Sequence, residues 1–142
     1  MEIRVMSTSS ELDQAYGLLK DLRPQLTLEN FHSLYRSAKS KDDYTLVGAY
    51  LEGQWAAVMG YRILFDFAHG KHVYVDDLIV GPAFRSRGVG ARLLKYAEKV
   101  AGDFGCQGLR LCAGVENTAG QRFYAREGWK GRAIAFKKTC QP

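Results

Sequence analysis

The sequence predicts an α+β protein, a mixed sheet with helices on both faces, and three observations carry that prediction. Apolar residues recur at helical spacing in two consecutive stretches near the N-terminus. Three strand-like stretches then follow one another between residues 44 and 80. Beyond them the pattern switches to helix, strand, helix and strand. The order is therefore βαα, βββ, αβαβ, and 142 residues suit one domain spanning 1–142.

Each element has a local reason. Ile3 to Met6 is a short first strand. Thr8 and Glu11 match a capping box, after which Leu12, Ala15, Tyr16, Leu19 and Leu22 line one helix face until Pro24 stops it. Thr27 caps a second helix with Phe31, Leu34, Tyr35 and Ala38 on its apolar face, and Lys39 to Lys41 form its solvated basic end. Tyr44 to Leu51 and Gln54 to Phe65 are strands joined by a tight turn at Glu52-Gly53. A turn around Ala68 to Lys71 leads to the strand Val73 to Val80. Leu93, Ala97, Val100, Ala101 and Phe104 mark a long helix, and Leu109 to Ala113 the next strand. Asn117 caps a helix carrying Phe123 and Tyr124, Gly128 stops it, and Ala133 to Lys138 reads as a last strand. No repeat, linker or low-complexity tract interrupts the series.

Composition narrows the function classes. An apolar fraction of 46% supports a core, and 25% charged is ordinary for a soluble domain. The net charge of +5 suggests an anionic partner: nucleic acid, a membrane surface or a phosphorylated cofactor. The N-terminus MEIRV is too short and charged for a signal peptide, and the uncharged stretch Gly53 to Tyr61 is far below a membrane span. Cys106 and Cys112 fall in one predicted strand, roughly 20 Å apart at ~3.3 Å per residue. A disulfide cannot join them there, and with Cys140 the cysteine usage points to a reducing cytoplasm. His32, His69 and His72 show no ligand spacing, so no metal site is expected.

The chemistry concentrates in VYVDDLIVGPAFRSRGVG, from Val73 to Gly90. A buried strand there runs through a Pro-marked turn and a glycine loop into a helix, an arrangement that offers backbone N–H groups to a phosphate. Arg85, Gly88 and Gly90 give R-x-x-G-x-G, with Arg87 inside it and Arg92 and Lys95 beyond. The motif alone is weak, since a Gly-rich turn before a basic helix face accounts for it equally well. It is not a Walker loop, because no Lys-Ser/Thr follows, and Leu93 takes the place of the last glycine of G-x-G-x-x-G.

Two longer patterns make the motif specific. V-x-P-x-x-R-x-x-G-x-G runs from Val80 to Gly90, and N-x-x-A-x-x-F-Y-x-x-x-G-W from Asn117 to Trp129, with Gly120 or Ala119 in the Ala slot. Together they resemble the GNAT superfamily of acyl-CoA N-acyltransferases, and the likeness in element order covers nearly the whole chain. It implies an α/β/α sandwich with a mostly antiparallel central sheet. Leu78, Ile79 and Val80 would pair with the pantetheine arm of acetyl-CoA like an extra strand. The amides of Arg85, Ser86, Arg87, Gly88, Val89 and Gly90 would hold the pyrophosphate. Asn117, with Gly120, would contact the pantetheine and Phe123 would pack near it. Tyr124 would protonate the leaving thiolate, as a phenol with an ordinary pKa near 10 can at neutral pH; the competing reading of Tyr124 is a core aromatic beside Phe123.

The acceptor sets a second requirement. An alkylamine with a pKa near 10.4 must lose a proton before attack at pH 7, a cost of roughly 4–5 kcal/mol. Strand alternation places Asp76 and Asp77 on opposite faces, so both reach the amine only if the strand bulges. Likeness to polyamine acetyltransferases makes Asp76 the base and Asp77 an orienting or structural charge. Ordinary ion pairs are the alternatives, for Asp77 with a neighbour such as Arg110. Tyr74 stands where many family members carry a glutamate.

In such proteins the acceptor pocket usually lies between the first two helices and the second and third strands. Tyr16, Phe31, Tyr35, Trp55, Tyr61, Phe65 and Phe67 are the aromatic candidates there, most of them core. Lys137 and Lys138 face solvent in this reading. The partners expected are acetyl-CoA and a small amine, with a homodimer as the family's common assembly. A protein lysine or N-terminal amine is the alternative acceptor. A basic nucleic-acid-binding module is disfavoured, because the cations cluster at the cofactor loop and no RNP-like or zinc-finger pattern exists.

Overall fold

The structure is a computed structural model that describes residues 1–140. They fall into two compact units, Met1–Leu111 and a second that begins at Cys112. The first unit holds β1 (Glu2–Val5), α1 (Ser9–Leu22), α2 (Leu28–Asp42), β2 (Thr45–Leu51), β3 (Gln54–Asp66), β4 (Gly70–Val80), a 3₁₀ turn at Pro82–Phe84, α3 (Val89–Asp103) and β5 (Gly108–Leu111). The second holds α4 (Thr118–Arg126).

Local chemistry sets both early helices. The Thr8 hydroxyl accepts from the Glu11 amide while the Glu11 carboxylate accepts from the Thr8 amide, and Thr27 and Asn30 exchange the same pair of bonds. Each cap is worth about 1 kcal/mol. The five strands form one sheet in the order β1-β2-β3-β4-β5. The first four pair antiparallel and β5 runs parallel to β4, the long crossover being supplied by α3.

Helices cover both faces, as the apolar pattern predicts. Leu12, Ala15 and Leu19 of α1 and Phe31 of α2 pack with Leu46 and Val58 on one face. Val89, Leu93, Ala97 and Val100 of α3 pack with Val47, Met59 and Val73 on the other. A strand buried on both sides reads as a continuous apolar run, which is why β3 is buried from Ala56 to Tyr61.

The sheet carries an irregularity that matters for the site. Gly60 pairs with Asp77 and Tyr61 with Val75, so Asp76 is the extra residue of a bulge on β4. The bulge switches the side-chain parity. Tyr74 and Asp76 before it, and Asp77 and Ile79 after it, all belong to the α1/α2 face, while Val73, Val75, Leu78 and Val80 face α3.

Several boundaries differ from the sequence reading, β1, β2 and β3 by a single residue at one or both ends. β4 starts at Gly70, ahead of the expected Val73, and β5 covers Gly108–Leu111 rather than Leu109 to Ala113, so Cys106 and Cys112, expected in one strand, flank it instead. The expected last strand, Ala133 to Lys138, is not a strand: residues 130–140 adopt no helix or strand. Its β-prone run Ala133-Ile134-Ala135-Phe136 leaves Ile134 and Phe136 exposed. Strand propensity is realised only against a partner edge, and that segment has no ladder among the described residues.

Candidate active site

The first half of the site is a strand edge. β5 pairs with β4 only along His72–Val75. From Asp76 to Val80, β4 therefore has, among the described residues, a ladder partner on its β3 side alone. Leu78, Ile79 and Val80, expected to pair with pantetheine, lie on this open edge. An extended chain bearing amides fits it as an added strand would. Arg85 lies at its end, where its Nε donates to the Val80 carbonyl at 3.2 Å.

The second half is the loop into α3. Phe84 is buried and anchors the turn, and the chain then leaves the ordinary backbone regions at Ser86 (φ 61°) and Gly88 (φ 78°). Gly88 is the N-cap of α3 and has open space where a side chain would stand, so a ligand can approach its backbone closely. The first intrahelical bond runs from Arg92 N–H to the Gly88 carbonyl. The amides of Val89, Gly90 and Ala91 therefore point out of the helix end without intrahelical partners. No acidic residue occupies that first turn, which suits an anion. Arg87 forms two bonds with the Glu52 carboxylate, at 3.1 and 3.2 Å, and so ties the β2–β3 turn to the loop.

The bulge brings the two carboxylates to one face. Asp77 accepts from Arg23 Nε at 3.1 Å and from the Tyr44 hydroxyl at 2.9 Å. Arg23 is the C-cap of α1, and its second nitrogen donates to the Asp76 carbonyl at 3.0 Å. The alternative partner expected for Asp77, Arg110, lies elsewhere: it bonds His72 at 3.0 Å and stacks over Tyr74. Asp76 is held in a fork by Arg62, at 2.8 to 3.2 Å. Burial nonetheless pushes its carboxyl above the ordinary range, against the opposing pull of Arg62. Burial, with Asp77 beside it, likewise keeps the Tyr44 phenol protonated and donating.

Sequence reasoning missed Arg23, Tyr44, Gly60 and Arg62. Gly60 stands opposite Asp77, and a Cβ there would collide with the Tyr44 hydroxyl. Its lack of a side chain is what lets the phenol reach the carboxylate. The only local signal was a glycine inside an apolar strand.

A half-open cavity of about 180 Å³ lies beside Asp77, between α1, α2 and the sheet. Of the seven aromatic candidates, Phe31 and Tyr35 line it. Tyr61 belongs to the opposite core, whereas Phe65 and Phe67 are exposed at the β3–β4 turn.

That turn corrects another expectation. His69 and His72 show no ligand spacing along the sequence, yet with Asp66 they bring ligand-type atoms within 4.8 Å of one another. The buried His72 accepts from Arg110 through Nε2 and contacts the Gly70 carbonyl through Nδ1 at 2.9 Å. The one accepting ring nitrogen of His72 is thus occupied, its Nδ1–H donates to the Gly70 carbonyl, and a guanidinium sits at the cluster. The turn is closed by an ion-pair network.

In the second unit, the Asn117 side chain caps α4 by accepting from the Gly120 amide at 2.9 Å. A Cβ on Gly120 would press on the Asn117 carboxamide, so this cap favours glycine in that slot. Tyr124 is half-buried between Phe123 and Trp129, with ring centroids 5.2 and 6.2 Å away.

A strand edge that runs out beside an amide-lined helix N-terminus, with carboxylates on the adjoining face, can seat an extended phosphorylated ligand. The sequence model of the acetyltransferase (GNAT) family matches residues 11–129, and the chain belongs to that family. It is 24% identical over 139 residues to the uncharacterized N-acetyltransferase YhdJ of Bacillus subtilis, covering 97% of this chain and 98% of that one. It is also 24% identical over 135 residues to an aminoalkylphosphonate N-acetyltransferase of Salmonella typhimurium, covering 94% of this chain and 88% of the relative. Its fold is similar to that of the aminoglycoside N-acetyltransferase AAC(6')-Iy, solved with a bisubstrate analogue of CoA and acetylneamine. That likeness has a TM-score of 0.83 at 24% identity and covers 98% of each chain. The protein is an N-acetyltransferase with acetyl-CoA as its cosubstrate.

Proposed function

We propose that the protein transfers the acetyl group of acetyl-CoA to the primary amine of a small molecule by direct attack on the thioester. The observation that carries the reading is the open β4 edge, which leads to the free amides of α3 at one end and to Asp76 and Asp77 at the other. The edge binds the pantetheine arm through Leu78, Ile79 and Val80, and the loop Arg85 to Gly90 binds the pyrophosphate.

Asp76 accepts the ammonium proton, directly or through water. Its raised pKa brings it closer to the amine's and eases the transfer. Asp77, held by Arg23 and Tyr44, orients the amine. The neutral amine attacks the thioester carbonyl, the C–S bond breaks as the amide forms, and the Tyr124 phenol protonates the departing thiolate. Asn117 and Phe123 complete the cofactor contacts by family likeness. In this reading residues 1–142 act as one catalytic domain, in the cytoplasm and as a homodimer; the odd count of three cysteines supports the reducing compartment.

The test is thiol release from acetyl-CoA with a panel of primary amines, repeated with Tyr124→Phe. Turnover should fall more than about tenfold in the variant while the thermal shift given by acetyl-CoA survives. Undiminished turnover removes Tyr124 from the mechanism, and acetylation confined to peptides would replace the small-molecule reading.

A further inference from the structure

We infer that the acceptor is a primary monoamine with a compact apolar body, alkyl or aryl, that carries neither a second cation nor an anion; the inference rests on the functional reading above. The cavity beside Asp77 holds one carboxylate and one cation, Asp77 and Arg23, which are paired to each other. Its other walls are Leu19, Leu26, Phe31, Leu34, Ala38 and the rings of Tyr35 and Tyr44.

Each charge pattern in a possible acceptor can be weighed against those walls. A polycationic acceptor would bring in two or more further ammonium groups, and the carboxylates at hand are Asp77, paired with Arg23, and the neighbouring Asp76, forked by Arg62, so neither is spare to compensate their lost hydration. A phosphonate-bearing acceptor would need an available cation, and Arg23 is committed to Asp77 and to the Asp76 carbonyl. An apolar body meets no such penalty and gains from burial against the leucines and Phe31. The amine itself still finds a partner. A carboxylate has about four acceptor positions, and Arg23 and Tyr44 take one on each Asp77 oxygen. Apolar walls also disfavour the charged ammonium, so the neutral nucleophile is easier to reach there than in water. Leu34, exposed on α2, extends the apolar wall to the mouth.

The experiment measures thiol release by the full chain at saturating acetyl-CoA with 2-phenylethylamine, isoamylamine, spermidine, kanamycin and 2-aminoethylphosphonate. The two apolar monoamines should exceed the others at least tenfold in kcat/KM. Leu34→Glu, a change at a largely exposed position, should narrow that gap for spermidine and kanamycin without changing the thermal shift with acetyl-CoA. A thermal shift with acetyl-CoA accompanied by preferred turnover of a charged acceptor, or by turnover of none of the five, overturns this inference alone. Absence of both the shift and any turnover overturns the functional reading beneath it.

Discussion

Asp76 is the residue on which two opposing effects meet. Burial raises its pKa, while the Arg62 fork lowers it, and burial prevails. As the proposed general base it would work only when deprotonated, so activity should be limited by its protonation at low pH and rise with pH through its pKa. Because that pKa is raised, the rise should lie above the ordinary carboxylate range. In Asp76→Asn the rise should move to higher pH, toward the titration of the amine itself, with kcat/KM lower by about 10²-fold or more. A profile of unchanged shape and position would exclude Asp76 as the base. The two carboxylates were legible beforehand as an adjacent acidic pair in the strand. Their partners were not. Arg23 and Tyr44 come to Asp77 across separations of 54 and 33 residues, and no local pattern encodes such an encounter.

At the scale of elements, the bulge at Asp76 is what makes a pair of adjacent residues act on one side of the sheet. Ideal alternation would have turned one carboxylate toward α3. Gly60 belongs to the same device, because its missing side chain admits the Tyr44 hydroxyl to Asp77. Gly60→Ala should expel the phenol, leave a buried carboxylate short of a donor and cost about 1–3 kcal/mol of stability. Chemical denaturation of the variant would measure that cost, and the amine KM should rise while acetyl-CoA binding persists. Wild-type stability and KM would show that Tyr44 does not position Asp77. Capping boxes at Thr8 and Thr27 and the Glu52-Gly53 turn, both of whose residues have positive φ, were readable because a few neighbouring residues determine them. The bulge and the unformed strand at 133–138 were not, because pairing is decided by a distant edge.

For the molecule as a whole, the positive balance acquires a place as well as a sign. Several cations are neutralised in pairs, Arg62 by Asp76, Arg23 by Asp77 and Arg87 by Glu52. Arg85 remains at the end of the open strand edge and Arg92 in the first turn of α3, where a nucleotide diphosphate would meet a favourable field. The α+β class and the order of elements through α4 followed from apolar periodicity, the mostly antiparallel sheet only from the family likeness, and the strand order only from the structure. The cavity beside Asp77 did not follow from periodicity, because its lining comes from α1, α2 and the sheet and becomes a cavity only when they pack.

Amide hydrogen exchange of the full chain with and without acetyl-CoA tests the central claim most directly, with ATP as a phosphate control. Acetyl-CoA should slow exchange in 76–80 and in 85–91, whereas ATP should act on 85–91 at most. Protection by acetyl-CoA that spares both segments would place the cofactor elsewhere and contradict the site described for it.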